Sequence, residues 1–375
     1  MLKLSTPNII GAVRHEVDRV LRSGDLTQGR ETEAFEAELA SFLGVGEVVT
    51  VSSGTAALHV ACVAAGLGSG DAVLVPDFTF PATANAVAWS GARPVPLDVD
   101  PSTYTMRVEL VERIILEWSG DDDVRAILPV HEFGCPAEMT ALSALAERWG
   151  LVIIEDAACA LGASWRGRRL GGLGAAGCFS FHPRKTLTTG EGGAIATDDR
   201  KLAARARRLR DHGRERDGGT VRFVTCGLNY RLTGFQAAMG RAQLPHLDHW
   251  IERRRELRLL YDEALAPLVD RYGLRLPGER EGHSWQTYMV ILPAGVDRGA
   301  VRAILAGHGI ETGAGAQCVS KEPSFADVSP CTAGVHVAAE LAEQGLALPF
   351  CEQYAEAEVA RVAAALAEAL QIGVS

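Results

Sequence analysis

Short apolar runs alternate with stretches of helical periodicity from about residue 30 to residue 215 of the 375-residue chain, and this alternation narrows the possible folds most. The runs VVTV (48–51), AVLVP (72–76), PVPLDV (94–99), RAILPV (125–130) and LVIIED (151–156) have the length and β-branched content of strands. Before the first run, Phe35, Leu39, Phe42 and Leu43 fall on one helical face, and between later runs lie the helical patterns VELVERIILEW (108–118) and MTALSALAERW (139–149). Strand and helix in alternation predict βαβ units and an α/β fold with a mostly parallel sheet. The runs carry no inner polar alternation, so the sheet is expected to be sandwiched by helices on both faces.

The rhythm changes at Cys178. CFSFH (178–182) and GGAIATD (192–198) read as two strands flanking a loop that carries Lys185. A basic helix follows at 201–213. The chain's net charge is 37 − 47 = −10, so this helix reads as a solvated face or subunit contact, not a nucleic-acid patch. A helical stretch runs from Thr233 toward Leu265, then a strand at 285–292 and helices at 301–309 and 357–370. We expect a large domain at 1–240, with an N-terminal helical segment, and a smaller C-terminal α/β domain at 241–375.

The acidic balance excludes a nucleic-acid polymer or an anionic membrane surface as the main partner, though not one anionic substrate in a local basic pocket. The first 20 residues hold no sustained apolar segment, so no signal peptide is expected. Residues 48–70 lack Asp, Glu, Lys and Arg, yet contain Ser52, Ser53, His59 and four Gly, which fits strand, loop and helix better than a membrane span. The eight cysteines, at 62, 135, 159, 178, 226, 318, 331 and 351, form no CxxC pair. They read as mostly buried thiols in a reducing compartment, with no metal site. A cytoplasmic, soluble protein is expected. The 40 glycines, well above the usual share, predict many tight turns and close backbone approaches.

Residues 172–177 (GLGAAG) match the G-x-G-x-x-G pattern but precede a strand where a dinucleotide site needs a helix, so that reading is rejected. Three other segments combine. SSGTAAL (52–58) sits between a strand and a helix. Taken alone it reads as an ordinary Ser/Thr N-cap, but the same turn offers free N–H donors to a phosphate. IIEDAA (153–158) puts Asp156 at the C-terminal end of a buried strand, where α/β sheets carry functional groups; taken alone it could equally cap a helix or form a salt bridge. FSFHPRKTLTTGEGG (179–193) holds one lysine, Lys185, in a Gly-rich loop with apolar flanks. Desolvation there would make the amine nucleophilic. A phosphate turn, a strand-end Asp and a loop Lys are together the requirements of pyridoxal 5′-phosphate: the lysine binds its aldehyde as an imine, and the carboxylate keeps its ring nitrogen protonated.

These segments, with SGDLTQGRETEAFEAELASFLG (23–44), DFTFPATANAVAWSGARPVPLDVD (77–100) and GLNYRLTGFQAAMGRAQL (227–244), resemble the sugar-aminotransferase (DegT/StrS) family of fold-type-I pyridoxal-phosphate enzymes nearly end to end. The resemblance implies Lys185 as the Schiff-base lysine and Asp156 as partner of the pyridine nitrogen. Backbone groups of Gly54 and Thr55 would hold the phosphate with the Ser180 hydroxyl, and Phe80 would stack on the ring. Asn229 would reach the phosphate in the neighbouring subunit, which implies a homodimer with shared active sites. His182 and Arg231 would face the substrate. Cys159 stands where the family usually has Gln or His reaching the cofactor's phenolic oxygen, and a thiol is a weaker hydrogen-bond partner. The late loop GAGAQCVSKEPSF (313–325) lacks the His often found there.

The function implied is transfer of an amino group from glutamate or glutamine to a keto sugar, a nucleotide-linked 3- or 4-keto-6-deoxyhexose, in sugar or antibiotic biosynthesis, by two ping-pong half-reactions. A keto cyclitol is the alternative acceptor. A sugar dehydratase of the same fold would carry His in place of Lys185. A non-catalytic regulatory relative fits poorly with the intact Lys, Asp and Ser set.

Overall fold

The computed structural model describes residues 1–217, 219–326 and 337–373. Helices α1 (Gly11–Ser23) and α2 (Arg30–Leu43) precede strand β1 (Glu47–Val51). Phe35, Leu39 and Leu43 of α2 are buried, as their spacing predicts, and Gly44 ends the helix with a φ of +71°. The chain continues through α3 (Gly54–Ala64), β2 (Asp71–Pro76), β3 (Phe78–Thr79), α4 (Ala82–Trp89), β4 (Arg93–Leu97), α5 (Val108–Glu117), β5 (Asp123–Ile127), α6 (Met139–Trp149) and β6 (Val152–Asp156). A small ribbon of β7 (Ser164–Trp165) and β8 (Arg168–Arg169) leads to β9 (Ala176–Ser180), β10 (Gly193–Thr197) and α7 (Arg200–Arg210).

Seven strands form one sheet in the order β1-β10-β9-β6-β5-β2-β4. Neighbours from β9 to β4 are parallel, and β10 runs against both β9 and β1. The sheet is therefore mostly parallel, as expected. Successive residues of one strand enter different cores: Val73 and Val75 pack with α3, whereas Ala72 and Leu74 pack with α5 and α6. Burial on both faces is why these strands read as unbroken apolar runs.

Two expectations need correction. The stretch from Thr233 toward Leu265 is not one helix: α8 (Gly234–Gln243) and α9 (Leu247–Tyr272) are separated by a 3-10 turn at Leu244–His246. Pro245 has no N–H to continue the α-helical ladder. The basic helix α7 is more than a solvated face. Arg207 pairs with Glu47 at 2.7 Å, and Arg210 is buried against the Glu36 carboxylate and the Thr50 carbonyl. Arg200, Lys201 and Arg205 of the same helix stay exposed.

Strands β11 (Arg214–Asp217) and β12 (Thr220–Phe223) form an antiparallel pair that carries exposed Val221 and Phe223. Beyond α9 come β13 (Tyr288–Ile291), α10 (Arg298–Gly307), β14 (Gln317–Cys318), α11 (Val337–Gln344), β15 (Gly345–Leu348) and α12 (Glu356–Gly373). Leu257, Tyr261, Tyr288, Phe350 and Leu366 form an apolar cluster of their own, which Leu2 from the N-terminus joins. β14 pairs back onto β3 and so carries the late loop to the sheet's working end. Among the described cysteines, five are buried, Cys159 is half-buried and Cys226 is exposed; Cys331 lies outside the described residues. No helix among the described residues is long and apolar enough to cross a membrane.

Candidate active site

The parallel strands end on one side of the sheet, and the loops leaving them enclose a cavity of about 440 Å³. Eight of the ten residues singled out from sequence line it: Gly54, Thr55, Phe80, Asp156, Cys159, Ser180, His182 and Lys185.

Asp156 closes β6. Its Oδ1 accepts the Ala158 N–H at 3.1 Å and its Oδ2 accepts the Thr83 hydroxyl at 2.8 Å. Burial pushes this carboxyl up, while Thr83, Ala158 and the Lys185 charge hold it down; the net direction is upward. A buried carboxylate of this kind is stabilised by a cation set against it.

The phosphate turn is built by close packing. Ser53 caps α3 by accepting the Ala56 N–H at 3.1 Å, so the first-turn N–H groups of Gly54 and Thr55 lack an intrahelical acceptor. A Cβ at Gly54 would sit 2.7 Å from the Ser180 Cβ, so glycine is what brings the Ser180 hydroxyl to the helix N-terminus. Donors and the positive helix end coincide there, as an anion requires.

Lys185 lies in the loop between β9 and β10. Its N–H donates to the His182 carbonyl at 2.8 Å, and Thr188 and Thr189 both donate to the Phe181 carbonyl, at 2.8 and 3.0 Å. Gln243 of α8 donates to the Thr188 carbonyl at 2.7 Å. The Lys185 amine donates to the Cys159 sulfur at 2.9 Å. Burial pushes the Cys159 thiol above its ordinary range, against the pull of Lys185. Burial also lowers His182, a ring whose Nδ1 accepts the Arg184 N–H at 3.2 Å. Phe80 stands at the cavity's mouth with 66% of its surface exposed.

Asn229 and Arg231 do not line this cavity. Asn229 is exposed and its backbone bridges Asp211, while the Arg231 guanidinium pairs with the Asp211 carboxylate at 2.5 Å. The late loop does reach the site: Gly315 and Ala316 line it, and the Asp77 carboxylate fastens Ser320 through its N–H at 2.7 Å and its hydroxyl at 2.6 Å.

Sequence reasoning missed Thr79, Thr83, Glu132, Glu191 and Gln286, all but Thr83 in the cavity wall. Thr79 closes β3 and Thr83 lies in the first turn of α4, and the FTFPAT run that holds both was a readable signal. Glu132 and Gln286 gave none, because a tertiary seam positions them. Phe133 and Trp285 both hold left-handed φ values, +54° and +53°, and the Gln286 N–H donates to the Phe133 carbonyl at 2.8 Å. Side-chain-bearing residues persist in that region only where their surroundings enforce it.

The rejected glycine pattern has a structural use. The N–H groups of Gly171, Leu173 and Gly174 donate to the buried Glu155 carboxylate at 2.7–2.8 Å, and the His131 ring lies 3.0 Å from it. The turn wraps an internal anion.

The Lys185 amine, the Asp156 carboxylate and a helix N-terminus backed by a hydroxyl thus surround a single cavity. The donor set fits a phosphorylated pyridine aldehyde: the N-terminus of α3 suits its phosphate, Asp156 its ring nitrogen and Lys185 its aldehyde. Among the described residues, no group of three or more His, Cys, Asp or Glu side chains is arranged to hold a metal ion.

Comparison with known proteins agrees with this class of site. The chain belongs to the DegT/DnrJ/EryC1/StrS aminotransferase family, whose profile matches residues 7–367. It is 36% identical over 375 residues to a GDP-perosamine synthase from Caulobacter vibrioides, covering 98% of each chain. Among solved structures it resembles DesV of S. venezuelae, determined in complex with a ketimine intermediate, at 36% identity and a TM-score of 0.86, covering 98% of this chain and 99% of the other. The aminotransferase TlmJ from Streptoalloteichus hindustanus superimposes over the whole of both chains with a TM-score of 0.91 and 32% identity.

Proposed function

We propose that this aminotransferase uses pyridoxal 5′-phosphate to move an amino group from glutamate or glutamine to a nucleotide-linked keto-deoxyhexose, acting as a homodimer in the cytoplasm. The observation that carries the reading is the convergence of Lys185, Asp156 and the Gly54–Thr55–Ser180 corner on one cavity. The name of the relative at 36% identity, a GDP-perosamine synthase, supports an amino sugar on a nucleotide carrier.

When bound, the cofactor supplies an electron sink for the bonds at the donor's α-carbon. The protein's residues do the rest. First-turn N–H groups of Gly54 and Thr55 and the Ser180 hydroxyl hold the phosphate and so fix the ring's position. Asp156, kept anionic, holds a proton at the ring nitrogen. The Lys185 amine, once freed by the donor, would take the proton from the donor's α-carbon and return it to the cofactor carbon from which the amine was released. Phe80, at the cavity's mouth, would lie against the ring. His182 faces the incoming substrate. Asn229 is exposed and away from its own chain's cavity, which suits a contact with the phosphate of a second subunit; Arg231 lies in the same segment and would face that subunit's substrate. The division into 1–240 and 241–375 belongs to the same reading, supported by the separate apolar cluster of the C-terminal elements.

Two half-reactions test it. Glutamate or glutamine should discharge the visible absorbance of the lysine-bound cofactor, and a keto-deoxyhexose on the right nucleotide should restore it. A panel of GDP-, UDP- and dTDP-linked keto sugars beside keto cyclitols identifies the acceptor. Restoration by a free cyclitol alone would refute the nucleotide-sugar assignment, and no response to any amino donor would refute the aminotransferase assignment.

A further inference from the structure

The peptide unit that enters Lys185 is held at both of its polar ends. Its N–H donates to the His182 carbonyl at 2.8 Å, and its carbonyl, that of Arg184, accepts the Gln286 side-chain amide at 2.8 Å. A peptide is planar, so fixing both ends fixes where the Lys185 Cα leaves it. The bonds to Thr188 and Thr189 secure the far half of the loop, whereas Gln286 acts at the lysine itself. The orientation of the amide follows from its partners. A carbonyl cannot donate, so the amide nitrogen faces Arg184; the Thr287 hydroxyl, 2.9 Å from Oε1, donates to the amide oxygen.

Gln286 is itself firmly seated. It is buried in the cavity wall, its N–H donates to the Phe133 carbonyl at 2.8 Å, and its carbonyl accepts Arg254 Nη1 at 3.1 Å. Arg254 also reaches the Trp285 carbonyl at 3.2 Å, pairs with the Glu352 carboxylate at 3.0 Å and lies over the Phe350 ring. Arg254 and Glu352 are both buried, and removing either partner of such a pair is strongly destabilising, so the anchor is not loose. Phe350 belongs to the C-terminal apolar cluster. The lysine's loop is therefore fastened to that cluster as well as to the sheet that carries it.

We propose that Gln286 is a positioning residue for Lys185: its amide pins the Arg184–Lys185 peptide and so holds the lysine's amine where it captures the cofactor's aldehyde. The pin rests on the hydrogen bonds alone, whereas its use in that capture rests on the cofactor assignment above. The Arg184 carbonyl needs a donor at the end of the residue 286 side chain; a side chain of the same bulk without an N–H fills the space and leaves the peptide free to tilt.

Two variants separate the hydrogen bond from packing. Gln286→Met keeps the length and bulk but cannot donate, and Gln286→Ala removes both. In the ligand-free protein, amide hydrogen exchange over residues 182–189 should be about twofold to tenfold faster in both variants, the worth of one hydrogen bond, while β1 and β4 exchange as in the wild type. Mixed with pyridoxal 5′-phosphate, both variants should develop the visible absorbance of the lysine-bound cofactor roughly tenfold more slowly. Both should bind pyridoxine 5′-phosphate, which has no aldehyde for Lys185 to capture, with unchanged affinity. Wild-type exchange in Gln286→Met, with an effect in Gln286→Ala alone, overturns the hydrogen bond in favour of packing. Faster exchange with an unchanged capture rate overturns the action on Lys185. A loss of pyridoxine 5′-phosphate affinity as large as the loss of capture rate puts Gln286 in cofactor binding and overturns the positioning role. If exchange responds as expected but the wild type binds neither compound, the pin is upheld and the cofactor assignment fails.

Discussion

The Lys185 amine lies 2.9 Å from the Cys159 thiol, and this is the one hydrogen bond its side chain makes among the described residues. The thiol is kept neutral by burial, so the bond is weak. Lys185 is held by its loop, through Thr188, Thr189 and Gln243, more than by Cys159. Cys159→Ala should therefore lower kcat/KM by less than about tenfold, the worth of one modest hydrogen bond. Steady-state kinetics decide it, and a fall beyond about a hundredfold would show that the thiol does more.

Gly54→Ala tests the phosphate corner. Its new Cβ would meet the Ser180 Cβ at 2.7 Å and displace the hydroxyl from the helix N-terminus. Losing one hydrogen bond to a charged group should weaken cofactor binding roughly tenfold to a hundredfold, measured by equilibrium titration. Unchanged affinity would mean that Ser180 does not contact the phosphate.

Glu155→Gln probes stability rather than chemistry. Although burial raises this carboxyl, the His131 ring and the Gly171 and Gly174 N–H groups hold it below its ordinary value. A depressed carboxyl contributes stability that is fully present above its unfolded pKa of about 4.3 and is lost as pH falls through its folded value. The variant would set an amide N–H₂ against backbone donors and should lose about 3 kcal/mol or more near neutrality. Thermal midpoints against pH should show the wild type's advantage shrinking with acid; an advantage constant from neutral to acid pH would contradict this.

Subunit mixing tests the shared site. Lys185→Ala and Asn229→Ala should each be nearly inactive as homodimers. Refolded together, half of the dimers are mixed, each with one intact Lys185 facing one intact Asn229. About a quarter of wild-type activity should return. Parents that stay inactive on mixing would show that Asn229 acts only within its own chain.

Much of this was legible in the sequence, for physical reasons. Strand β6 reads as LVIIED because a doubly covered strand has no polar face to break the run, and Asp156 stood out as the carboxylate at its end. Lys185 stood out as a lone amine between apolar strands. Glu132 did not, because an acidic residue after a strand reads as solvated. Beside it, residues 284–286 fold back onto 133–134, about 150 positions away in the chain, and no local periodicity records such a seam. The break at Pro245 was written in the sequence, yet the charged periodicity on either side obscured it. Asn229 and Arg231 were recognised by resemblance alone, and one chain shows why: neither lines its own cavity.

The attachment of the cofactor to Lys185 is the claim on which the rest depends. Borohydride reduction of the purified, cofactor-loaded protein, followed by peptide mass mapping, measures it directly. The prediction is one reduced pyridoxyl group per chain, on Lys185, and none in Lys185→Ala. A label on another lysine, or no label in a protein that binds the cofactor, would contradict it.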